Sequence, residues 1–310
     1  MEGYGGMQTG RKPFRPKKDY RLFWMALPFA LFIMVFYYAQ LFGWIYAFTD
    51  YKPAKGILGQ TYVGFKYFLK LFAPGSLFPV AFRNTLIYGV LNALASPVAL
   101  IFAGFLSEVK RPGARRAIQT LSSFPNFISW ILVYSVAFMF FSSEGQLTKL
   151  ADSLGLTGGA KNLLANAGAA YLFQTLLGLW KTTGWSAIIY LSAIAGIDQE
   201  LYDAADVDGA SRYQKMYHIT VKSVLPTFFI LLILGIGGMM NAGFEQFYVF
   251  YNPMVADRLE ILATYAYRIG LGHGEIAFGT AIGMTQSLIS VLLLVGGGVL
   301  SKKISGNSIL

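Results

Sequence analysis

The 310-residue chain is 55% hydrophobic and only 13% charged, with a mean hydropathy of +0.52. A soluble domain carries about a quarter charged residues, so this chain cannot coat a water-facing globule. It has no cysteine, which excludes a disulfide framework and thiol chemistry. Its formal charge of +10 is explained by basic flanks of membrane spans rather than by nucleic acid as a partner.

Residues 1–20 are rich in Gly, Lys and Pro and read as a basic tail. The uncharged run 22–48 is far longer than a secretory h-region of about 7–15 residues, so it reads as a retained first span, with Pro28 marking a bend. Residues 49–83 form an external connection punctuated by Pro53, Gly56, Gly59 and Pro74, and its amphipathic piece 65–72 is suited to lie along the interface. The uncharged runs 84–107 and 117–143 are the second and third spans, the former holding Pro97. The basic turn 110–116 separates them. A Gly-rich external loop, 142–168, leads to a fourth hydrophobic run, 162–197, broken only by Lys181, with its membrane part at 169–193. The fifth and sixth spans are 223–244 and 276–301; Gly296, Gly297 and Gly298 suit close helix packing. A span needs roughly 20 apolar residues, so the expected fold is an all-α integral membrane bundle of about six helices, residues 21–310 forming a single transmembrane domain.

Basic residues set the orientation. The tail holds Arg11, Lys12, Arg15, Lys17, Lys18 and Arg21; the second connection Lys110, Arg111, Arg115 and Arg116; the fourth Arg212, Lys215 and Lys222; the C-terminus Lys302 and Lys303. These segments hold fifteen of the 25 Lys and Arg. They are expected on the cytoplasmic side of the cell membrane, together with both termini.

The longest inside connection, 196–224, is the most informative. Asp198 is placed to cap a short helix and Glu200 to meet its dipole. Ala204 and Ala205 leave that helix open to close approach. Gly209 is placed to end it. A second helix starts near Ser211, with Tyr213, Met216, Tyr217 and Thr220 at helical spacing. Pro226 sits where the next span begins. The residues alone leave a docking surface and a plain solvated loop equally open.

Nothing looks catalytic. There are two histidines, His218 and His273, no His-Glu-x-x-His pattern and no Gly-Lys pair for a nucleotide loop; Gly270, Gly272 and Gly274 have the wrong spacing and no preceding strand. No metal site or cofactor is expected on this chain. Lys181 lies within a span, where a charge usually faces a cavity or a partner, or else snorkels or pairs structurally. Trp180 and Trp185 flank it and can stack on a sugar or serve as packing residues. Asn241, Glu245 and Gln246 are expected to close the fifth helix at its external end, offering amides and a carboxylate to a solute.

The 196–224 segment resembles the cytoplasmic coupling loop of permease subunits in binding-protein-dependent ABC importers. That pattern is Glu-Ala-Ala, three residues, Gly, nine residues, Ile, then a proline. Here Asp203 stands at the glutamate, followed by Ala204 and Ala205; Gly209 lies within Asp208-Gly209-Ala210; Ile219 and Pro226 follow. Two departures are the shorter Asp203 and Lys222, where many members carry proline. The string AFTDYKPAKGILGQTYVGFKYF after the first span, Asn84-Thr85, Leu179-Trp180-Lys181 with Gly184, Phe244-Glu245-Gln246-Phe247 and Thr264-Tyr265-Ala266-Tyr267-Arg268 are similar to the complex-oligosaccharide branch. The resemblance implies a type I importer permease fold and half of an oligosaccharide path. It also implies a second homologous permease, two ATPase subunits that carry ATP and Mg, and an extracytoplasmic solute-binding protein. A self-sufficient secondary transporter would show inverted repeats, and an intramembrane enzyme a nucleophile and base; neither is found.

Overall fold

The computed structural model describes residues 20–56, 59–154, 162–240 and 243–305. The basic tail, except Tyr20, and Asn241 lie outside the described residues. The chain divides into two compact units, one up to Ile45 and one from Tyr46 onward. The first holds α1 (Tyr20–Ile33), with Pro28 inside it, followed by a π-helical stretch, Met34–Tyr38, and the start of a 3-10 stretch, Ala39–Phe48.

The second unit opens with a two-residue ribbon that the sequence did not suggest. β1 (Thr49–Asp50) pairs antiparallel with β2 (Thr61–Tyr62), Thr49 opposite Tyr62. α2 (Lys66–Lys70) follows, within the expected amphipathic stretch. Its Tyr67 hydroxyl donates to Asp50 Oδ1 at 3.1 Å, and burial, with Asp50 beside it, pushes that hydroxyl above the ordinary tyrosine range.

The second span is α3 (Phe78–Ala95) joined to α4 (Pro97–Ser107). It begins six residues before the uncharged run, because Arg83 sits inside the helix and donates to the Asp257 carbonyl at 3.0 Å. Pro97 has no N–H for the ladder, so α3 stops before it and α4 starts at it.

The third hydrophobic run is not one helix. α5 (Pro112–Ser123) passes into a 3-10 turn, Phe124–Phe127, and α6 (Trp130–Phe141) starts afresh. The two halves bend by 98°. Pro125 lies in the turn, Ile128 is extended, and Ser129 caps α6 by accepting from the Leu132 N–H. α7 (Gln146–Ser153) and a short 3-10 turn at Leu163–Ala165 lead to α8 (Ala170–Ala195).

α9 (Gln199–Val207) and α10 (Arg212–Lys215) lie in the 196–224 loop. The helix begun at Arg212 does not end before the fifth span: it continues through a π-helical stretch, Met216–Val221, into α11 (Lys222–Gly238). Pro226 therefore lies inside a continuous helix rather than at its start. α11 ends at Gly238, not at 244, and a new helix, α12 (Phe244–Phe250), begins after Gly243, whose φ of +85° suits glycine. α13 (Ala256–Leu259), α14 (Leu262–Tyr267), a π-helical stretch at Arg268–Gly272 and α15 (Ile276–Ser305) complete the chain.

Among the described residues, Leu22–Phe48, Phe78–Ser107, Arg212–Gly238 and Ile276–Val299 are long and apolar enough to cross a membrane, and the bent pair makes a fifth candidate. α8 has 26 residues, about 39 Å at 1.5 Å per residue, but carries Gln174 and Lys181. Three apolar clusters hold the second unit. One joins α3, α6, α8, α12 and α13 through Tyr88, Val133, Ala170, Phe247 and Leu259. Another joins α3, α14 and α15 through Phe78, Leu262, Tyr265, Phe278 and Ile282. The third joins α4, α8 and α11 through Ala103, Leu106, Ala187, Tyr190 and Val224. Leu94, Leu121, Ile131, Leu172, Leu234 and Leu292 stay exposed, as expected of side chains whose solvent is hydrocarbon.

Asn84 shows how polar groups survive here. It is fully buried. Its Nδ2 donates to the carbonyls of Asp257 at 3.0 Å and Glu260 at 2.8 Å, and its Oδ1 accepts from Tyr171 Oη at 2.6 Å. Thr85 accepts from the Leu262 N–H at 2.9 Å. The Asn84-Thr85 pair thus fastens α3 to the segment between α13 and α14. Farther along, the Thr264–Arg268 motif closes on itself: Thr264 Oγ1 donates to buried Glu260 at 2.8 Å, and Arg268 forms an ion pair with the same carboxylate while lying 4.1 Å over the Tyr251 ring.

Candidate functional site

Two places are candidates for function. The first is the 196–224 loop. Asp198 caps α9 by accepting from the Glu200 N–H at 3.0 Å. At the other end the Ala210 N–H reaches the Ala205 carbonyl at 2.9 Å, and the Gly209 N–H reaches that of Asp206 at 3.1 Å. This doubly bonded turn needs a left-handed residue, and Gly209 supplies it at φ +72°. Ser211 and Gln214 then cap α10 reciprocally.

The loop is braced onto the bundle. Lys215 Nζ lies 2.6 Å from Asp206 Oδ1, tying α10 to α9. Arg212 Nη2 donates to the Glu108 carboxylate at 3.1 Å and to its backbone carbonyl at 3.0 Å, tying α10 to the end of α4. Tyr202 Oη and Thr220 Oγ1 are 2.8 Å apart. The outward surface is left with Leu201, Val207, Tyr213 and Tyr217 exposed, Val207 at 89%. Asp203, Ala204 and Asp208 are also exposed, Ala205, Ala210 and Ile219 half-buried, and Pro226 exposed on the continuing helix. The expected stripe of Tyr213, Met216, Tyr217 and Thr220 is split: the two tyrosines face out, while Thr220 is buried and Met216 is half-buried. The stripe spans the switch from α-helical to π-helical winding at Met216, where a 3.6-residue period no longer holds.

The second place is a cavity of about 570 Å³ between α3, α4, α8, α11 and α12. Its polar wall includes Asn92, Ser96, Thr182, Thr183, Ser186, Tyr190 and Gln246, together with Thr85 and Tyr88, and Trp130, Leu231, Met239 and Phe247 are among the apolar lining. Among the described residues, no Asp, Glu, Lys or Arg lines it. Gln246 is held by α8, its Nε2 donating to the Gln174 carbonyl at 2.9 Å and to Gln174 Oε1 at 2.7 Å.

Of the described residues singled out for a solute path, only Gln246 stands on this cavity. Trp180 and Trp185 are half-exposed, Trp185 meeting Phe127 edge-on at 5.5 Å, and Glu245 is exposed in the first turn of α12. Lys181 points into the break of the third span, its Nζ donating to the carbonyls of Pro125 at 3.1 Å, Asn126 at 2.8 Å and Ile128 at 2.6 Å. The hydroxyl residues of the cavity were not anticipated. Their signal is the four-residue spacing of Gly178, Thr182, Ser186 and Tyr190, which puts small and polar groups on one face of an apolar helix.

Comparison with known proteins agrees with this architecture. Residues 95–306 match the family described as binding-protein-dependent transport system inner membrane component. Protein LplB of Bacillus subtilis (strain 168) is 37% identical over 93% of this chain and 90% of its own length. The polygalacturonan/rhamnogalacturonan transport system permease protein YteP of the same organism is 36% identical over 91% of this chain and 88% of its own. A chain in the crystal structure of a bacterial alginate ABC transporter, in complex with alginate pentasaccharide-bound periplasmic protein, superposes with a TM-score of 0.83 at 29% identity. That match covers 94% of this chain and 97% of the other. The chain belongs to the family of inner membrane components of binding-protein-dependent transport systems. It is a multi-pass permease subunit of an ABC importer, with the type I importer fold, and the self-sufficient transporter is set aside.

Proposed function

We propose that this chain forms half of the translocation path for an oligosaccharide. It would pair with a second, homologous permease. Two ATPase subunits, carrying ATP and Mg, would dock on the 196–224 loop, and an extracytoplasmic solute-binding protein would deliver the sugar. The chain would sit in the cell membrane with both termini in the cytoplasm.

The observation that carries this reading is the cavity wall. Hydroxyls and amides without formal charge can exchange hydrogen bonds with sugar hydroxyls and let go again, since no full charge holds the solute. Gln246 would be the path residue among those first considered; Trp180, Lys181, Trp185 and Glu245 would serve packing or contacts outside the cavity. The relatives supply the substrate class, YteP being a polygalacturonan/rhamnogalacturonan permease by name. On the inside loop, exposed Asp203 would meet a basic group of the ATPase. Ala204, Ala205 and Val207 would give it a close apolar contact, and Asp208, Gly209 and Ala210 would fix the turn that leads through Ile219 and Pro226 into the fifth span.

Reconstitution in proteoliposomes tests the reading. The chain is co-purified with a homologous permease, an ATPase and a solute-binding protein encoded beside it, and uptake of labelled galacturonan and arabinan oligosaccharides is followed. ATP-dependent uptake by the full assembly and none by the chain alone is expected. ATP hydrolysis or uptake by the isolated chain would overturn it.

A further inference from the structure

We propose that the break in the third span is a site for a primary ammonium ion, that Lys181 is its tethered occupant, and that this occupancy fixes Trp130 on the cavity wall. A helix ends at the break: α5 and its 3-10 turn run out at Phe127, at the negative end of the helix dipole, and the Pro125 carbonyl there accepts the Ile128 N–H at 3.2 Å. In hydrocarbon such groups have no water to turn to. Three carbonyls, those of Pro125, Asn126 and Ile128, converge on one point, 2.6–3.1 Å from the Lys181 ammonium. An ammonium has three protons, and each has an acceptor here.

Lys181 lies near the middle of α8 and is only 7% exposed, so it does not snorkel to an interface. None of the ion pairs found among the described residues involves it. Its direct contacts are therefore carbonyl dipoles, as for a bare cation, with the Glu245 carboxylate acting on it only at longer range. One turn along α8, Gly184 makes the approach possible: a Cβ there would overlap the Ser122 carbonyl. Trp130 begins α6 two residues beyond Ile128, stands on the cavity wall and has its ring 5.4 Å from the same ammonium. Lys181 is thus a positioning residue that acts on the cavity through the break.

The test uses the full chain in lipid nanodiscs. Because the chain lacks cysteine, Arg116→Cys and Met139→Cys, either side of the break, can be spin-labelled cleanly. Lys181→Ala should lower the Tm and replace one narrow distance peak by a broad distribution. Methylammonium, which fits the vacated space and offers three N–H donors, should restore both. Tetramethylammonium, with the same charge and no donor, should restore neither at equal ionic strength. Wild-type-like Tm and distance in Lys181→Ala without added amine would overturn the proposal, as would equal rescue by both ions or by neither. If Lys181→Ala cannot be isolated, the native chain decides. With ¹⁵N-lysine it should show one slowly exchanging ammonium signal, and absence of any such signal overturns the site.

Discussion

At the residue scale, the inside loop rests on single atoms. Gly209 is open on all sides, with nothing near a built Cβ, so its requirement is conformational. A β-branched residue held in the left-handed region costs about 1–2 kcal/mol. Gly209→Val is expected to weaken attachment of the ATPase and abolish uptake, measured by pull-down beside transport. Asp203 is exposed and, among the described residues, its side chain is held only by Gln199 Nε2, at 3.2 Å. Asp203→Lys is therefore expected to leave the fold intact and abolish coupling, whereas Asp203→Glu keeps both; loss of folding in Asp203→Lys would contradict this. Asn84→Ala should behave in the opposite way. It strips buried partners at Asp257, Glu260 and Tyr171, at about 1–3 kcal/mol for each group left unsatisfied, and should show as a lower Tm before any effect on coupling. Turn and cap chemistry of this kind was legible in the sequence, because Asp198 and Gly209 act on backbone within a few residues of themselves. Asn84 and Lys181 were not, because their partners are supplied by segments 173 to 176 and 53 to 56 positions away.

At the scale of elements, hydrophobic runs located the spans but not their interruptions. The run 117–143 carries no charge, and membrane helices tolerate proline, so Pro125 did not announce a 98° bend. Nor does the run show the ammonium that α8 brings to the carbonyls of Pro125, Asn126 and Ile128. The fit of α8 against α5 is equally tight. Gly184→Ala would push a methyl group against the Ser122 carbonyl. Overpacking of this kind costs typically 1–3 kcal/mol; a lower Tm and a displaced nitroxide distance between α5 and α8 are expected. The brace between α10 and α4 follows another logic. Arg212 and Glu108 are partly exposed, and such pairs contribute little to stability. Glu108→Arg should therefore leave Tm nearly unchanged but reduce uptake by uncoupling the loop from the second span. The swap Glu108→Arg with Arg212→Glu should recover part of it. Equal uptake in the single and double variants would show that the brace plays no part.

At the scale of the whole molecule, charge distribution predicts that reporter fusions at both ends of the chain are active only in the cytoplasm; an external C-terminus would contradict the orientation proposed here. The loop and the cavity are joined by one object, the continuous helix from Arg212 to Gly238, 27 residues long. Its first residue grips Glu108 beside the exposed 196–224 loop, and Leu231 and Gly235 toward its other end, with Met239 just past it, line the cavity. Such a helix is a lever about 40 Å long, so a tilt of about 5° at the loop moves the far end by about 3.5 Å. That is the width of a methyl group, enough to open or close a gap between α11 and α3, where Met239 already fills the space above Gly89. A modest rocking of the loop would thus reach the cavity as a change of bore, to the extent that the π-helical stretch Met216–Val221 and Pro226 between them keep the helix stiff.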